Sequence, residues 1–329
     1  MMPERMPEFR SERVLLTGAT GFLGRYVLDA LRSSQASTFA PARSETDLLD
    51  RTATETMVRS SFSGAGPTIL INCAGYSGGL GANRKHPARF FYDNLAIGMN
   101  LIEGLRRAGF AQQCALVQLG NMVVYPAGAS QPYREESLFT GKPDPDVAAY
   151  ALAKLALLQM MEAYATEHGQ RGVYVIPSNL YGPGDTFDPE RSHAVGAMVR
   201  RFVSAVKTGA SEVVCWGTGS PLRDFVYVED AAKGVVLAAK HAAGLGLGDP
   251  VEVANLASGH EVSIKVLAEA IARQAGFSGK VVWDASKWDG VARRALSPDK
   301  AREVLGWRAT TELQEALGNT VAYYRSSHP

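Results

Sequence analysis

The sequence has little of what marks a secreted, membrane or nucleic-acid-binding protein. Its three cysteines, Cys73, Cys114 and Cys215, are widely spaced and odd in number, which predicts neither a disulfide framework nor a metal site. It has no apolar run of about 18 residues, and residues 1–13 are charged without an apolar centre, so we expect no transmembrane helix and no signal peptide. The net charge of +1 indicates no nucleic-acid partner. These absences predict a cytoplasmic protein.

The composition that remains is typical of a globular protein, with 46% hydrophobic and 20% charged residues in a chain of 329. Short apolar strands alternate with helical patterns as far as Pro177, which predicts an α/β fold with a Rossmann-like, doubly wound parallel sheet. After residue 178 the chain becomes rich in glycine, proline and aromatic residues. We therefore expect a dinucleotide-binding domain, 1–178 with 223–258 returning to it, and a smaller substrate-binding domain, 179–222 and 259–329.

A glycine-rich turn follows the first apolar strand, at 14–17, and leads into a helical pattern. Its glycines are spaced three and three, and they allow a backbone to approach a pyrophosphate at a helix N-terminus. An ordinary glycine turn is the alternative. The cofactor contacts predicted here are Gly18, Thr20, Gly21, Phe22, Leu23 and Gly24.

The cofactor preference depends on the end of the second strand, which we place at 37–40. An acidic residue there would favour NAD, and none is present; Arg43 follows instead and could hold the 2′-phosphate of NADP. A solvated loop arginine is the alternative, so NADP (as NADPH) is predicted and NAD stays possible.

Tyr150 and Lys154 lie four residues apart in a helical pattern that runs from Val147 to about Gly169. On a helix this spacing places both side chains on one face, where an ammonium lowers the pKa of a phenol. Such a tyrosine can protonate a carbonyl oxygen or accept the proton of an alcohol. A chance pairing is the alternative. The apolar residues of this helix cover more than one face, which predicts packing against the sheet and against a second subunit in a homodimer.

Four longer stretches carry a family resemblance: NLYGPGDTFDPERSH at 179–193, WGTGSPLRDFVYVED at 216–230, DASKWDGVARR at 284–294 and LGWRATTELQEAL near the C-terminus. With the glycine loop and the Tyr–Lys pair, they make the chain similar to the extended short-chain dehydrogenase/reductase family, also called the NAD-dependent epimerase/dehydratase family. The resemblance covers nearly the whole chain. It is strongest to members that epimerise and reduce a GDP-linked 4-keto-6-deoxymannose, which implies a nucleotide-sugar substrate, with a GDP-sugar favoured.

The resemblance also implies roles for individual residues. Tyr150 would be the general acid, and Lys154 would hold the nicotinamide ribose and lower the tyrosine pKa. Asp47 and Leu48 would border the adenine, and Ala74 would line the cofactor path. The residues expected to contact the substrate are Arg201, Trp216 and Arg223 for its nucleotide part, and Lys287 and Arg293 for its diphosphate or sugar.

Two positions depart from the family pattern. Asn121 stands where the family has a serine or threonine that hydrogen-bonds the reacting oxygen; an amide can still donate but cannot relay a proton. Val123 replaces the cysteine that, in epimerising members, removes protons beside the ketone. His193, its partner in that step, is kept, and a substrate hydrogen bonder is the alternative for it.

The sequence therefore predicts NADPH-dependent reduction of the C4 ketone of a nucleotide-linked 4-keto-6-deoxysugar, with C3/C5 epimerisation doubtful. One alternative is a nucleotide-sugar epimerase, which recycles bound NAD, or a bifunctional epimerase-reductase. Another is a non-catalytic protein that binds a nucleotide sugar or a dinucleotide.

Overall fold

The computed structural model describes residues 7–189, 191–287 and 289–328. Its strands are β1 (Arg13–Thr17), β2 (Ser37–Phe39), β3 (Ile69–Asn72), β4 (Ala115–Leu119), β5 (Gly172–Pro177), β6 (Asn179–Tyr181), β7 (Glu212–Trp216), β8 (Leu222–Tyr227), β9 (Glu252–Leu256), β10 (Glu261–Ser263), β11 (Lys280–Asp284) and β12 (Arg293–Arg294). Its α-helices are α1 (Phe22–Ser33), α2 (Arg51–Ser60), α3 (Leu80–Lys85), α4 (Pro87–Arg107), α5 (Ala148–His168), α6 (Ala194–Thr208), α7 (Val228–Gly244), α8 (Ile264–Gln274), α9 (Asp299–Leu305) and α10 (Leu313–Ser327).

The predicted Rossmann-like sheet is confirmed. Six parallel strands lie in the order β2-β1-β3-β4-β5-β9. The central strands β3, β4 and β5 are buried along their whole length, because helices cover both faces of the sheet. Helices α1 and α7 pack on one face, and α2, α4 and α5 pack on the other. All carboxyl ends of these strands therefore meet at one edge, where a doubly wound sheet binds its ligands.

Two smaller sheets lie outside the central one. Strand β8 pairs with β6, β10 and β12, while β7 pairs with β11. Helices α6, α8 and α10 enclose a separate apolar core with strands from both of these sheets. This part of the chain carries the tryptophan and arginines that the resemblance assigns to the substrate.

The structure departs from the sequence-based expectations in one place. The stretch 223–258 returns to the central sheet only from α7 onward, because β8 forms its ladders with the smaller sheet. The glycine-rich segment after β3 also contains a short helix, α3, whose six residues end where Pro87 starts α4. A proline favours the first turn of a helix, so it separates the two elements.

Among the described residues, no helix is long and apolar enough to cross a membrane. The stretch expected not to be a signal peptide includes residues 1–6, which lie outside the described part of the chain.

Candidate active site

The glycine loop between β1 and α1 is held tightly against the neighbouring strand. Gly18 has φ +74°, and a Cβ there would lie 2.5 Å from the backbone nitrogen of Ala74. The nitrogen of Gly21 donates to the Gly18 carbonyl at 2.9 Å, and a Cβ on Gly24 would lie 2.0 Å from that same oxygen. Side chains at positions 18 and 24 would push the loop away from the sheet. The spacing of three and three is thus required by local packing.

A groove opens above this loop at the carboxyl edge of the sheet. Seven of the residues predicted to bind the cofactor line it: Gly18, Thr20, Gly21, Arg43, Asp47, Leu48 and Ala74. The other three, Phe22, Leu23 and Gly24, form the first turn of α1. Arg43 is exposed to solvent at the side of the groove. The predicted cofactor contacts therefore lie beside the first backbone N–H groups of α1, which can bind a phosphate.

Tyr150, Lys154 and Asn121 come together where β4 meets α5. Asn121 Oδ1 accepts a hydrogen bond from the nitrogen of Val123 at 3.1 Å, and the same side chain is hydrogen-bonded to the Tyr150 hydroxyl. Lys154 Nζ donates to the carbonyl of Leu119 at 3.0 Å and lies 5.8 Å from the centre of the Tyr150 ring. A proton-bearing hydroxyl, an amide and an ammonium thus form one corner beside Gly75, a residue that lines the groove and whose added Cβ would lie 3.7 Å from Lys154 Nζ.

Burial sets the protonation of this corner, since Tyr150 is 8% exposed and Lys154 is 4% exposed. Burial raises the pKa of Tyr150 to about 12, and the Asn121 hydrogen bond opposes that shift. Burial also lowers the pKa of Lys154 to about 8, against the attraction of Cys73. Lys154 is not among the groups that shift the pKa of Tyr150, so the expectation that it lowers this pKa stays a prediction. The lysine donates to the Leu119 carbonyl, and removal of the phenol from water has the largest effect on the Tyr150 pKa.

An aromatic cluster joins Tyr150 to the groove. The ring of Phe90 lies 5.4 Å from that of Tyr150 and 4.7 Å from that of Tyr76, which lines the groove. Val123 packs against this cluster. The Val123 side chain therefore sits beside the reacting corner, where it offers only apolar surface.

The segment after β6 is hydrogen-bonded to two side chains in the first half of α1. Tyr26 donates from its hydroxyl to the Pro183 carbonyl at 2.8 Å, and Arg25 donates to the Gly184 carbonyl at 3.2 Å. Asp185, which follows, is 8% exposed; its Oδ1 accepts from the Thr186 nitrogen at 2.7 Å, while Oδ2 is buried without a described partner. Burial raises the pKa of Asp185 to about 7.

His193 stands further along that segment, at the residue before α6. The segment is tied to the start of α3, because the Gly79 nitrogen donates to the Arg191 carbonyl at 3.2 Å. His193 keeps contact with solvent, yet the protein atoms around it lower the pKa of its imidazole below the ordinary value. No described hydrogen bond joins it to Tyr150, so the structure brings these two to the same edge without direct contact.

The predicted nucleotide contacts lie in the smaller sheets. Trp216 ends β7 and is 66% exposed, and Arg201 donates to the Val214 carbonyl of that strand at 2.7 Å. Burial, followed by the neighbouring charge of Arg294, lowers the pKa of Arg223 to about 10. Two arginines held together in this way attract an anion.

Arg293, the predicted diphosphate contact, has other partners. Its guanidinium forms a two-pronged pair with Glu261 at 2.7 and 2.5 Å and donates to the Gln131 carbonyl at 2.9 Å. Arg294, one residue later, lies opposite Arg223 across the ladder of β12 and β8, and its guanidinium donates to Asp144 at 3.0 Å. Successive residues of a strand face opposite sides, and the sequence alone did not show which of the pair faces inward.

Comparison with known proteins agrees with this arrangement. The model of the NAD dependent epimerase/dehydratase family matches residues 14–254. This chain belongs to that family. It is 38% identical to the probable GDP-L-fucose synthase 1 of Oryza sativa subsp. japonica over 95% of this chain and 92% of the relative. It is 37% identical to GDP-L-fucose synthase 1 of Arabidopsis thaliana, over 96% of this chain and 94% of that one.

A solved structure from the same family has the same fold. The GDP-L-fucose synthetase of Naegleria fowleri, bound to NADP, superimposes with a TM-score of 0.84 over 99% of this chain and 96% of that chain, at 26% identity. The recognition of an extended short-chain dehydrogenase/reductase is thus confirmed.

Two residues at this family site carried no sequence signal that we used. Asp289 accepts hydrogen bonds from the Thr218 nitrogen and hydroxyl, both at 2.6 Å, and fixes the loop after Trp216. Asn94 of α4 donates to the Tyr76 carbonyl at 2.9 Å and accepts from the Tyr76 nitrogen at 3.2 Å, which fixes the groove wall. A buried amide in an otherwise apolar helix pattern is the signal that could have found Asn94.

The buried carboxyl of Asp185 predicts a pH-dependent stability. In the unfolded chain an aspartate loses its proton near pH 4, whereas in the folded chain Asp185 holds it to about pH 7. The folded state therefore binds more protons in this window, and its stability falls as pH rises through it. We expect Asp185→Asn to be more stable than the wild type by up to ~4 kcal/mol at pH 8, because each pKa unit corresponds to about 1.4 kcal/mol, and equal to it at pH 4.

Urea unfolding at a series of pH values measures this difference. Asp29→Asn on α1 is the matched control, because its carboxylate is 67% exposed and its substitution should give a difference that does not change over the same window. A wild type whose stability relative to Asp185→Asn stays level from pH 4 to pH 8 would contradict the prediction.

Proposed function

We propose that this protein reduces the C4 ketone of a nucleotide-linked 4-keto-6-deoxysugar with NADPH, and that the nucleotide is GDP. The observation that carries the proposal is the corner formed by Tyr150, Asn121 and Lys154 beside Gly75, which lines the cofactor groove. The printed names of the relatives, GDP-L-fucose synthases, support the substrate class, and the NADP bound by the Naegleria protein supports the cofactor. Arg43, exposed at the groove, suits the 2′-phosphate.

The chemistry of the corner suits reduction. Bound NADPH supplies a hydride to the ketone carbon. Tyr150 keeps its proton at neutral pH because its pKa is about 12, so it can donate that proton to the oxygen as negative charge develops there. Lys154, in turn, is placed to hold the nicotinamide ribose. On this proposal, the Tyr150 hydroxyl still carries its proton when the ketone substrate binds.

Asn121 provides the second hydrogen bond to the reacting oxygen. Its Oδ1 accepts from the Val123 nitrogen, which leaves both N–H groups of the amide for the reacting oxygen and Tyr150. An amide held in this orientation donates to a carbonyl oxygen and stabilises the charge that forms there. It takes the place of the family's serine or threonine in binding the oxygen, without relaying a proton.

The substrate lies, on this proposal, between two units of the chain. We propose a dinucleotide-binding domain, 1–178 with the returning α7 and β9, and a substrate-binding domain in the remaining smaller sheets. Trp216 would stack on the guanine, since its ring is 66% exposed. Arg223, with Arg294 beside it, would bind the diphosphate, and Arg201 would help hold the nucleotide.

Epimerisation at C3 and C5 is not part of the proposed activity. Val123 packs against the Phe90 and Tyr150 cluster and has no group that exchanges protons. His193 then acts as a hydrogen bonder to the sugar. An epimerase that recycles bound NAD, and a non-catalytic binder, are the alternatives; consumption of added NADPH by the purified protein distinguishes the reductase from both.

We further propose a cytoplasmic homodimer. Helices α4 and α5 pack together and leave large apolar side chains exposed: Phe91, Tyr92 and Met99 on α4, and Leu152 on α5. Along α5, Ala156 and Ala163 continue the exposed stripe that begins with Leu152. A second copy of the same two helices would cover this surface, as expected for a contiguous apolar patch on an enzyme.

Tyr150→Phe tests the proton donor. The ring still packs against Phe90, so NADPH affinity should stay within about twofold, whereas kcat for the GDP-linked 4-keto sugar should fall at least ~100-fold because the general acid is lost. NADPH oxidation at 340 nm and NADPH fluorescence measure the two quantities. Tyr164→Phe, on the same helix, is the control and should keep its turnover. Unchanged turnover in Tyr150→Phe would favour the non-catalytic alternative.

The absence of epimerisation is tested in deuterated water. We expect the wild-type product to carry no deuterium at C3 or C5 above the enzyme-free background, because the Val123 side chain cannot accept a proton. Val123→Cys should introduce exchange at one of these carbons, detected by mass spectrometry and proton NMR. Rapid deuterium uptake by the wild-type enzyme would refute this part of the proposal.

Leu152→Glu tests the dimer. A carboxylate in the centre of a covered apolar surface should weaken self-association at least ~100-fold, which sedimentation velocity measures as a shift from dimer to monomer. Leu247→Glu is the control, since Leu247 is 60% exposed in the loop after α7 and lies beside Gly169, at the opposite end of α5 from Leu152. A wild type that sediments as a monomer would contradict the homodimer.

A further inference from the structure

A row of polar side chains crosses the middle of the central sheet. Thr17, Asn72, Gln118 and Tyr174 occupy matching positions on β1, β3, β4 and β5. Their exposed fractions are 1%, 1%, 0% and 0%. Buried parallel strands are normally apolar, and a buried polar group destabilises the fold unless it is paired. The row lies on the face covered by α5.

Its hydrogen bonds run in one direction toward Lys154. The Thr17 hydroxyl donates to Asn72 Oδ1 at 2.8 Å, and Asn72 Nδ2 donates to Gln118 Oε1 at 2.9 Å. Gln118 Nε2 then donates to the Leu119 carbonyl at 2.9 Å. That carbonyl is the acceptor of Lys154 Nζ at 3.0 Å. The catalytic corner and the row therefore share one oxygen atom.

The direction of the row is fixed at both ends. The Ala74 nitrogen donates to Asn72 Oδ1 at 3.0 Å, and a backbone N–H can only donate. The Leu119 carbonyl can only accept. Turning over either amide would bring two donors or two acceptors face to face, so each side chain has a single satisfied orientation.

The row also reaches the backbone of the catalytic helix and the glycine loop. The Tyr174 hydroxyl donates to the carbonyl of Lys154 at 2.9 Å, so the residue is held at both its side chain and its main chain. At the other end, a Cβ on Gly18 would lie 2.5 Å from the Ala74 nitrogen that Asn72 holds. A shift of the Asn72 side chain would therefore move the Ala74 backbone, against which the glycine loop at Gly18 packs.

We propose that Asn72 and Gln118 are positioning residues, which fix the Leu119 carbonyl and thereby hold Lys154 at a set distance from the glycine loop. This inference rests on the proposed function, because Lys154 acts only on a bound cofactor. A reacting group that moves by about 1 Å loses much of its effect on rate, which gives such a row a function beyond stability.

The first test separates position from stability. Asn72→Leu leaves Thr17 and Gln118 with unpaired buried groups, so its melting temperature should fall. The triple variant Thr17→Val, Asn72→Leu, Gln118→Met replaces the linked groups by apolar ones of similar size, and its melting temperature should return toward the wild-type value. We expect kcat to stay at least ~10-fold below wild type in the triple variant, with KM for the sugar within about twofold.

The second test uses binding and pH instead of turnover. Gln118→Glu keeps the acceptor for Asn72, removes the donor to Leu119 and places a carboxylate near Lys154. It should raise the pH at which NADPH affinity declines by about one unit, because the new charge stabilises the ammonium. NADPH fluorescence titrations from pH 6 to pH 10 measure this shift without any sugar substrate. Thr320→Val is the control, because it removes a buried hydroxyl in α10, outside the groove. It should change neither the NADPH affinity nor the pH at which that affinity declines.

Each outcome decides the matter. Recovery of kcat together with the melting temperature in the triple variant would mean that the row only fills space, and would overturn the inference. An unshifted pH profile of NADPH binding in Gln118→Glu would also overturn the inference. This binding test decides the matter if the triple variant does not fold. A wild type that binds NADPH but reduces no sugar would refute the proposed function, while the binding titrations would still test the row.

Discussion

The burial of the Lys154 ammonium group sets the conditions for the rest of the site. A cation that is 4% exposed needs an acceptor in the interior, and the Leu119 carbonyl at the end of β4 supplies it. This requirement places α5 directly against the carboxyl edge of the sheet. Because Tyr150 lies one turn earlier on the same helix, its hydroxyl arrives at that edge as well. The location of the reacting groups therefore follows from satisfying one buried charge.

The same burial keeps the Tyr150 hydroxyl in its proton-bearing form. Removing Tyr150 from water favours its neutral form, so the hydroxyl keeps its proton where an exposed, cation-paired phenol would begin to lose it. Lys154, with a pKa lowered to about 8, changes charge just above neutral pH. A protonated phenol and an oriented amide from Asn121 together suit an oxygen that gains negative charge. They suit the removal of a proton from carbon much less.

Local patterns in the sequence predicted the parts of this protein that local physics controls. The strand, glycine turn and helix around Gly18, and the helix carrying Tyr150 and Lys154, are encoded within about twenty residues each and lie where they were expected. The parts that depend on distant partners were not predicted. The pairing of β8 with the smaller sheet and the inward turn of Arg294 depend on contacts between residues far apart in the chain. Asn72 and Gln118 meet across two strands and leave no local signature.

The loop that Asp289 fixes after Trp216 belongs to a hydrogen-bond system separate from the one around Lys154. Thr218 and Asp289 bind each other, and none of their described hydrogen bonds reaches the row of Thr17, Asn72 and Gln118. On the proposed placement of the guanine on Trp216, a substitution in that loop would change the preference for the base and leave the hydrogen bonds around Lys154 in place. The two ends of the proposed cleft could then vary independently of each other.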